Sequence, residues 1–368
     1  MSELVREAVR GLVPYEPGKP VEEVQRELGL ERVVKLASNE GPFGPFPGAL
    51  LALERSVHEL NRYPDGGAFR LREALADLHG VPAAQIAIGA GADGVIDCLL
   101  QATLDPGDEL VTGWPSFPSY VIDALKAGAV PVRVPLREHR FDLDGLLEAV
   151  TPRTKIVAIC HPNNPTGTAS SRAELDRYFE QVPAHVLTVL DQAYFEYIDH
   201  PDYDDGVARY LAVGKRVLVL RTFSKIYGLA GLRIGYGVGP EDVVGAILKV
   251  RRAFDLSIPA QAAALASLGD EQELGRRREL NRTGRGELDQ TLRAHGLQPI
   301  DGAVANFVYV EVGDGRSFFE KLLHEGVIVR PTNAFGAADA VRVTVGAPEE
   351  NAFLAAALER LAPATVAS

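Results

Sequence analysis

Apolar residues recur along the chain in two alternating rhythms. From Val33 onward, short and nearly unbroken apolar runs at 86–88, 109–112, 130–134, 155–160, 186–191, 217–222 and 233–238 alternate with longer stretches of helical spacing. The helical stretches fall at 49–60, 70–79, 92–103, 118–127, 143–150 and 172–181. Strands apolar on both faces and separated by helices predict an α/β architecture, a mostly parallel sheet covered on either side. Ligands of such sheets bind beyond the carboxyl ends of the strands. After Gly239 the pattern changes: 241–296 is helical throughout and rich in Arg and Glu. The remainder mixes a strand at 306–311, a helix at 317–325, strands at 327–330 and 341–345, and a last helix from Pro348. That reads as a smaller α+β domain. The first thirty residues hold a short amphipathic stretch, the proline-rich run from Pro14 to Pro20, and a helical piece ending near Gly29. Prolines there forbid helix and predict an extended arm. The expected division is therefore an arm (1–30), a large domain (31–264) and a small domain (265–368).

Composition narrows the functions open to such a chain. A hydrophobic share of 46% and a charged share of 24% are those of an ordinary globular protein. The net charge of −12 disfavours nucleic acid and anionic membranes as partners. An anionic substrate would have to be met by a local cationic pocket. The two cysteines, Cys98 and Cys160, are too few for a disulfide framework or a zinc site. The charged start is not a signal peptide, and no apolar run approaches the ~18 residues of a membrane helix. The expected location is the cytoplasm.

The candidate chemistry centres on Lys225. It follows the apolar run 217–220 through Arg221-Thr222-Phe223-Ser224 and leads into a glycine-rich stretch containing Arg233. A desolvated amine near another cation loses its proton readily, and a neutral amine attacks carbonyls. Asp191 closes another apolar strand and is followed by Tyr194. It is either a helix cap or the counter-ion of a buried cationic heteroatom, since a buried carboxylate needs a partner. His161-Pro-Asn-Asn-Pro-Thr-Gly167 pins Asn163 and Asn164 at a strand end. Gly89-Ala-Gly-Ala-Asp-Gly94 is either a tight turn or a helix-start anion site, to which Thr222, Ser224 and Arg233 could contribute. Phe117 could stack on a flat ring or fill core. Arg342, alone in an apolar strand, and Arg330 at the end of another could meet a carboxylate in a cleft. Tyr63 and Tyr15 are phenols on loops.

Together these pieces resemble the fold-type-I pyridoxal-phosphate aminotransferases, specifically the histidinol-phosphate aminotransferase group. The resemblance runs through Ser38-Asn-Glu-Gly-Pro, Arg62-Tyr-Pro-Asp65, Gly91-Ala-Asp93, Asn163-Asn-Pro-Thr-Gly167, Asp191-Gln-Ala-Tyr194, the Ser224–Tyr236 segment, Ala305-Asn-Phe307 and Arg342. It implies a large domain with a mostly parallel seven-stranded sheet between helices, and pyridoxal 5′-phosphate as cofactor. It also implies Lys225 as the Schiff-base lysine, Asp191 as partner of the ring nitrogen, and Asn164 and Tyr194 on the phenolic oxygen. By the same resemblance, Ala92 and Asp93 through their N–H groups, with Thr222, Ser224 and Arg233, hold the phosphate, and Phe117 stacks on the ring. Tyr63 would reach the phosphate of a neighbouring subunit, which implies a homodimer. Arg342, Arg330, Tyr15, Asn39 and Asn306 would face the substrate. The implied reaction is ping-pong transamination between histidinol phosphate and 2-oxoglutarate. An aromatic amino-acid aminotransferase, a decarboxylase of a phosphorylated amino acid and a cofactor-binding regulator are the alternatives. Gln192, Gly94, Phe117 and Asp255 depart from the residues common at those positions in the group.

Overall fold

The computed structural model describes residues 4–12, 18–198 and 200–361. Ahead of the main sheet, helix Val21–Leu28 ends on Gly29, whose φ of 68° is the left-handed conformation that closes a helix. A two-residue strand, β1 (Val34–Lys35), follows.

Seven strands then form the main sheet: β2 (Ile86–Gly89), β3 (Glu109–Trp114), β4 (Val130–Pro135), β5 (Thr154–Cys160), β6 (Leu187–Asp191), β7 (Val217–Thr222) and β8 (Gly235–Val238). Their spatial order is β2-β8-β7-β6-β5-β3-β4, and only β8 runs against its neighbours. Every residue of β2, β6, β7 and β8 is buried, which is why the sequence carries unbroken apolar runs there. Strand β8 starts two residues later than expected. Arg233 has φ 53°, outside any strand, and caps the short turn Ala230–Leu232.

Four further strands make an antiparallel sheet in the order β12-β13-β10-β9: β9 (Gln298–Pro299), β10 (Phe307–Glu311), β12 (Arg330–Pro331) and β13 (Ala340–Thr344). Strand β11 (Val327–Ile328) pairs separately, in parallel with β1. The residues just after position 31 pack with this smaller unit. Val34, Leu36 and Ala37 belong to the core that also holds Val308, Ile328 and Val343. The main-chain N–H groups of Val34 and Leu36 donate to Gly326 and Ile328 at 2.9 and 2.8 Å. Nothing in so short a strand says which sheet edge it will join. Val24, from the expected arm, lies in the same core. Helix Glu271–Ala294 spans both cores, giving Leu274 to one and Leu288 and Leu292 to the other.

Candidate active site

The carboxyl ends of β3, β5, β6 and β7 converge on a cavity of about 370 Å³ between the two cores. Strand β6 delivers Asp191 and β7 delivers Thr222, with Ser224 and Lys225 on the turn beyond; all four line the cavity. The turn needs Gly228, φ 70°, because a side chain there would run into the carbonyl groups of Phe43 and Gly44.

Both ionisable groups at the centre are displaced from ordinary behaviour. Burial is the largest cause at Lys225, lowering its amine to about 8, and the nearby Arg342 adds to it. Burial likewise pushes Asp191 up to about 6, against hydrogen bonds that favour its ionised form. Those bonds come from the Tyr120 hydroxyl at 2.8 Å and the Ala193 N–H at 3.1 Å. The helix-cap reading of Asp191 thus gives way to a buried acid facing a cavity. The Lys225 Nζ lies 5.3 Å from the Tyr194 ring centre and 3.5 Å from the Ser38 carbonyl. Tyr194, raised to about 12 by burial, accepts a hydrogen bond from Asn39 Nδ2 at 2.9 Å.

One end of the cavity is a cradle of backbone donors. Helix Gly91–Thr103 begins there, with Ala92 and Asp93 in its first turn and on the cavity wall. A helix start presents free N–H groups and favours anions. The Arg233 guanidinium lies across it, 3.4 Å from Ser224 Oγ and 3.8 Å from Asp93 Oδ2. A methyl group on Gly91 would sit 2.6 Å from that guanidinium, so only glycine lets the arginine close over the helix start. Thr222 Oγ1 accepts from the Ser224 N–H at 3.1 Å and fixes the turn. Phe117 lines the cavity and also packs against the core, so its two readings coincide.

The opposite wall comes from the antiparallel sheet. Arg342, buried on β13, donates to Asn164 Oδ1 and to the Ala37 carbonyl. This excludes the exposed-strand reading of Arg342. Arg330, on β12, lines the same wall. The lining carries Lys225, Arg233, Arg330 and Arg342 against Glu40, Asp93 and Asp191. A chain of net charge −12 therefore has, at this one place, an excess of cations.

Two expected site residues lie elsewhere. Asn306 is buried behind the wall, its Nδ2 donating to the Asn39 carbonyl at 3.1 Å, so it acts on the cavity through Asn39. Tyr63 is 81% exposed and stacks on Phe254, ring centres 4.8 Å apart, away from this chain's cavity. Tyr15 falls outside the described residues. Of the departures, Gln192 is wholly buried and bonds Gly206, Asp204 and Arg221, while Asp255 pairs with Arg251 at 3.3 Å. Sequence reasoning missed Tyr120 and Phe335. A phenol in an amphipathic helix gives no local sign that it meets a carboxylate 71 positions away. Phe335, in a turn, reads as ordinary loop.

Comparison with known proteins agrees with this geometry. The model of the family "Aminotransferase class I and II" matches residues 31–361. The histidinol-phosphate aminotransferase of Moorella thermoacetica is 44% identical over 357 residues, covering 97% of this chain and 92% of that protein. Among solved structures, histidinol-phosphate aminotransferase from Sinorhizobium meliloti, in complex with pyridoxal-5′-phosphate, superposes with a TM-score of 0.87. It is 29% identical, covering 98% of this chain and 99% of that one. The aspartate aminotransferase of Thermus thermophilus with maleate gives 0.84 at 27% identity, covering 97% and 98%. A half-buried amine and a buried acid on one cavity, a helix-start cradle and a pair of wall arginines thus occur in a chain aligned with these enzymes almost end to end: it belongs to the class I and II aminotransferases.

Proposed function

We propose that the chain is a pyridoxal 5′-phosphate-dependent aminotransferase that moves an amino group between histidinol phosphate and 2-oxoglutarate. The observation that carries the reading is the half-buried Lys225 and the buried Asp191 on the lining of one cavity, whose far wall carries two arginines. The 44% identity to an enzyme named for that substrate supports it.

The residues fit the cofactor. The cradle that Gly91 leaves open under Arg233 suits a phosphate, and the acid at Asp191 suits a cationic ring nitrogen. Asn164 and Tyr194 would hold a ring oxygen, and Phe117 would cover a ring face. When bound, the cofactor supplies an electron-withdrawing ring that makes the substrate Cα–H acidic. Asp191, its ionised form favoured by Tyr120 and Ala193, holds the positive charge that this requires. Lys225 Nζ, neutral above about pH 8, would take the proton from Cα of the amino donor and, in the opposite half-reaction, deliver one to Cα of the keto acceptor; a placed base of this kind contributes ~10²–10⁴-fold. Arg342 and Arg330 bind the anionic end of each substrate in turn, a carboxylate or a phosphate, both of which suit planar guanidinium donors.

The working unit in this reading is a homodimer. Leu51, Val57, Leu60, Tyr63 and Phe69 are all more than half exposed, an apolar surface that a second copy would cover, carrying Tyr63 to the neighbouring cavity. We assign the enzyme to the cytoplasm, a reducing compartment that suits the buried free thiols of Cys98 and Cys160. No described helix is long and apolar enough to cross a membrane.

Parallel turnover of histidinol phosphate and phenylalanine with 2-oxoglutarate tests the substrate. Histidinol phosphate is expected to give the higher kcat/KM, and a clear preference for phenylalanine would refute the assignment.

A further inference from the structure

Register places Arg330 directly opposite Arg342 on the antiparallel pair β12–β13. Like charges at opposed positions repel, and these two are only 7% and 4% exposed. The turn that joins the two strands carries Phe335 back against both. Its ring centre is 5.6 Å from the guanidinium carbon of Arg330 and 5.3 Å from that of Arg342. A guanidinium at that range is drawn to an aromatic ring, so one ring holds two cations that would otherwise move apart. Phe335 is buried and lines the cavity.

The turn has its own anchor. The Thr332 hydroxyl lies 2.7 Å from the Ala337 carbonyl and 2.8 Å from that of Ala340, closing the loop at its base. Gly336, φ 95°, sits flush on the indole of Trp114, at the carboxyl end of β3; a methyl group there would land inside the ring. Trp114 belongs to the main sheet and the turn to the antiparallel one, so this contact ties the arginine wall to the floor of the site.

We propose that Phe335 and Gly336, seated on Trp114, are positioning residues: they set the spacing of the Arg330 and Arg342 guanidinium groups, and Trp114 registers the filling of that anion site. The inference rests on the reading of the two arginines as substrate-binding groups. It names residues that act through the arginines and touch no reacting bond.

Trp114 is the only tryptophan in the chain, so tryptophan emission comes from this one ring, on whose other contact, the Arg133 guanidinium 4.7 Å from its centre, the substitutions below do not act. In the full-length, cofactor-loaded enzyme, inorganic phosphate is expected to shift that emission, and to do so at higher concentration in Phe335→Leu. Phe335→Leu and Gly336→Ala should each raise KM for both substrates roughly tenfold, with kcat and the cofactor absorbance band moving far less. Trp114→Leu removes the ring atoms that the new methyl would strike, so the double variant with Gly336→Ala should recover part of the lost affinity. Phe335→Tyr keeps the ring face and should retain KM within about twofold, which guards against a Leu variant that fails to fold. Unchanged KM in Phe335→Leu and Gly336→Ala, with KM raised in Arg342→Gln, overturns the positioning role and leaves the anion site standing. Unchanged KM in both Arg330→Gln and Arg342→Gln overturns the anion site itself. A Trp114 emission indifferent to phosphate also counts against the proposal.

Discussion

Arg221 and Arg342 are both buried arginines on strands, and they are housed in opposite ways. Arg221, on the interior strand β7, is surrounded by acceptors from its own chain. Its guanidinium lies 3.0 Å from Asp205 Oδ1, 3.0 Å from Gln192 Oε1 and 3.7 Å from Glu196 Oε1, and its carbon is 3.5 Å from the Phe195 ring centre. His79, 3.8 Å from Asp205, is lowered to about 4, by burial first and then by Arg221 itself, so this cluster's charge comes from one cation and its acids. Arg342 instead donates to an amide oxygen and a main-chain carbonyl, has Phe307 and Phe335 each 5.3 Å away, and faces a second arginine across the strand pair. The first arrangement sets its guanidinium between two carboxylates of its own fold. The second gathers positive charge at a cavity wall, which is what a site for an anion requires.

The sharpest way to break this comparison is to neutralise each arginine in turn. Arg221→Met leaves the buried Glu196 and the partly exposed Asp205 beside an apolar chain and is expected to cost roughly 3 kcal/mol of stability, the low end for a broken buried pair, read as a fall in denaturation midpoint. Arg342→Gln should keep the midpoint within a few degrees, relieve the repulsion from Arg330, and lower kcat/KM by about two decades or more. If Arg342→Gln unfolds the chain and Arg221→Met mainly raises KM, the two roles are reversed.

A smaller effect separates Lys225 from ordinary lysines. Its amine is lowered to about 8, chiefly by burial, so the neutral fraction grows as pH rises through that value. The rate at which the cofactor-free chain captures an aldehyde should rise with a midpoint near about 8, well below the ~10.4 of a solvated lysine. A midpoint at the solvated value would mean that the cavity does not desolvate the amine. The smallest expected change is at Tyr120→Phe, which removes one 2.8 Å hydrogen bond from Asp191. Losing it costs about 1–2 kcal/mol at a charged acceptor and should lower kcat by roughly five- to thirtyfold. An unaltered kcat would show that Asp191 needs no help from Tyr120 to carry its charge.

The chain's own pattern determined the α/β class, all seven main strands to within two residues, and the strand-end positions of Asp191, Asn164 and Lys225. These follow from local rules: a strand buried on both faces must be apolar throughout, and the polar residue that ends it marks where the cavity begins. Motif spacing also singled out Arg342 and Arg330 one at a time. Only the tertiary structure decided that they are cross-strand neighbours with Phe335 between them, that Tyr120 reaches Asp191, that Val34–Lys35 joins the smaller unit, and that Asn306 works through Asn39. Each of these joins residues far apart in sequence or fixes a register, and a register slipped by one residue would turn every side chain to the other face. Periodicity says which faces are apolar; only packing says which faces meet.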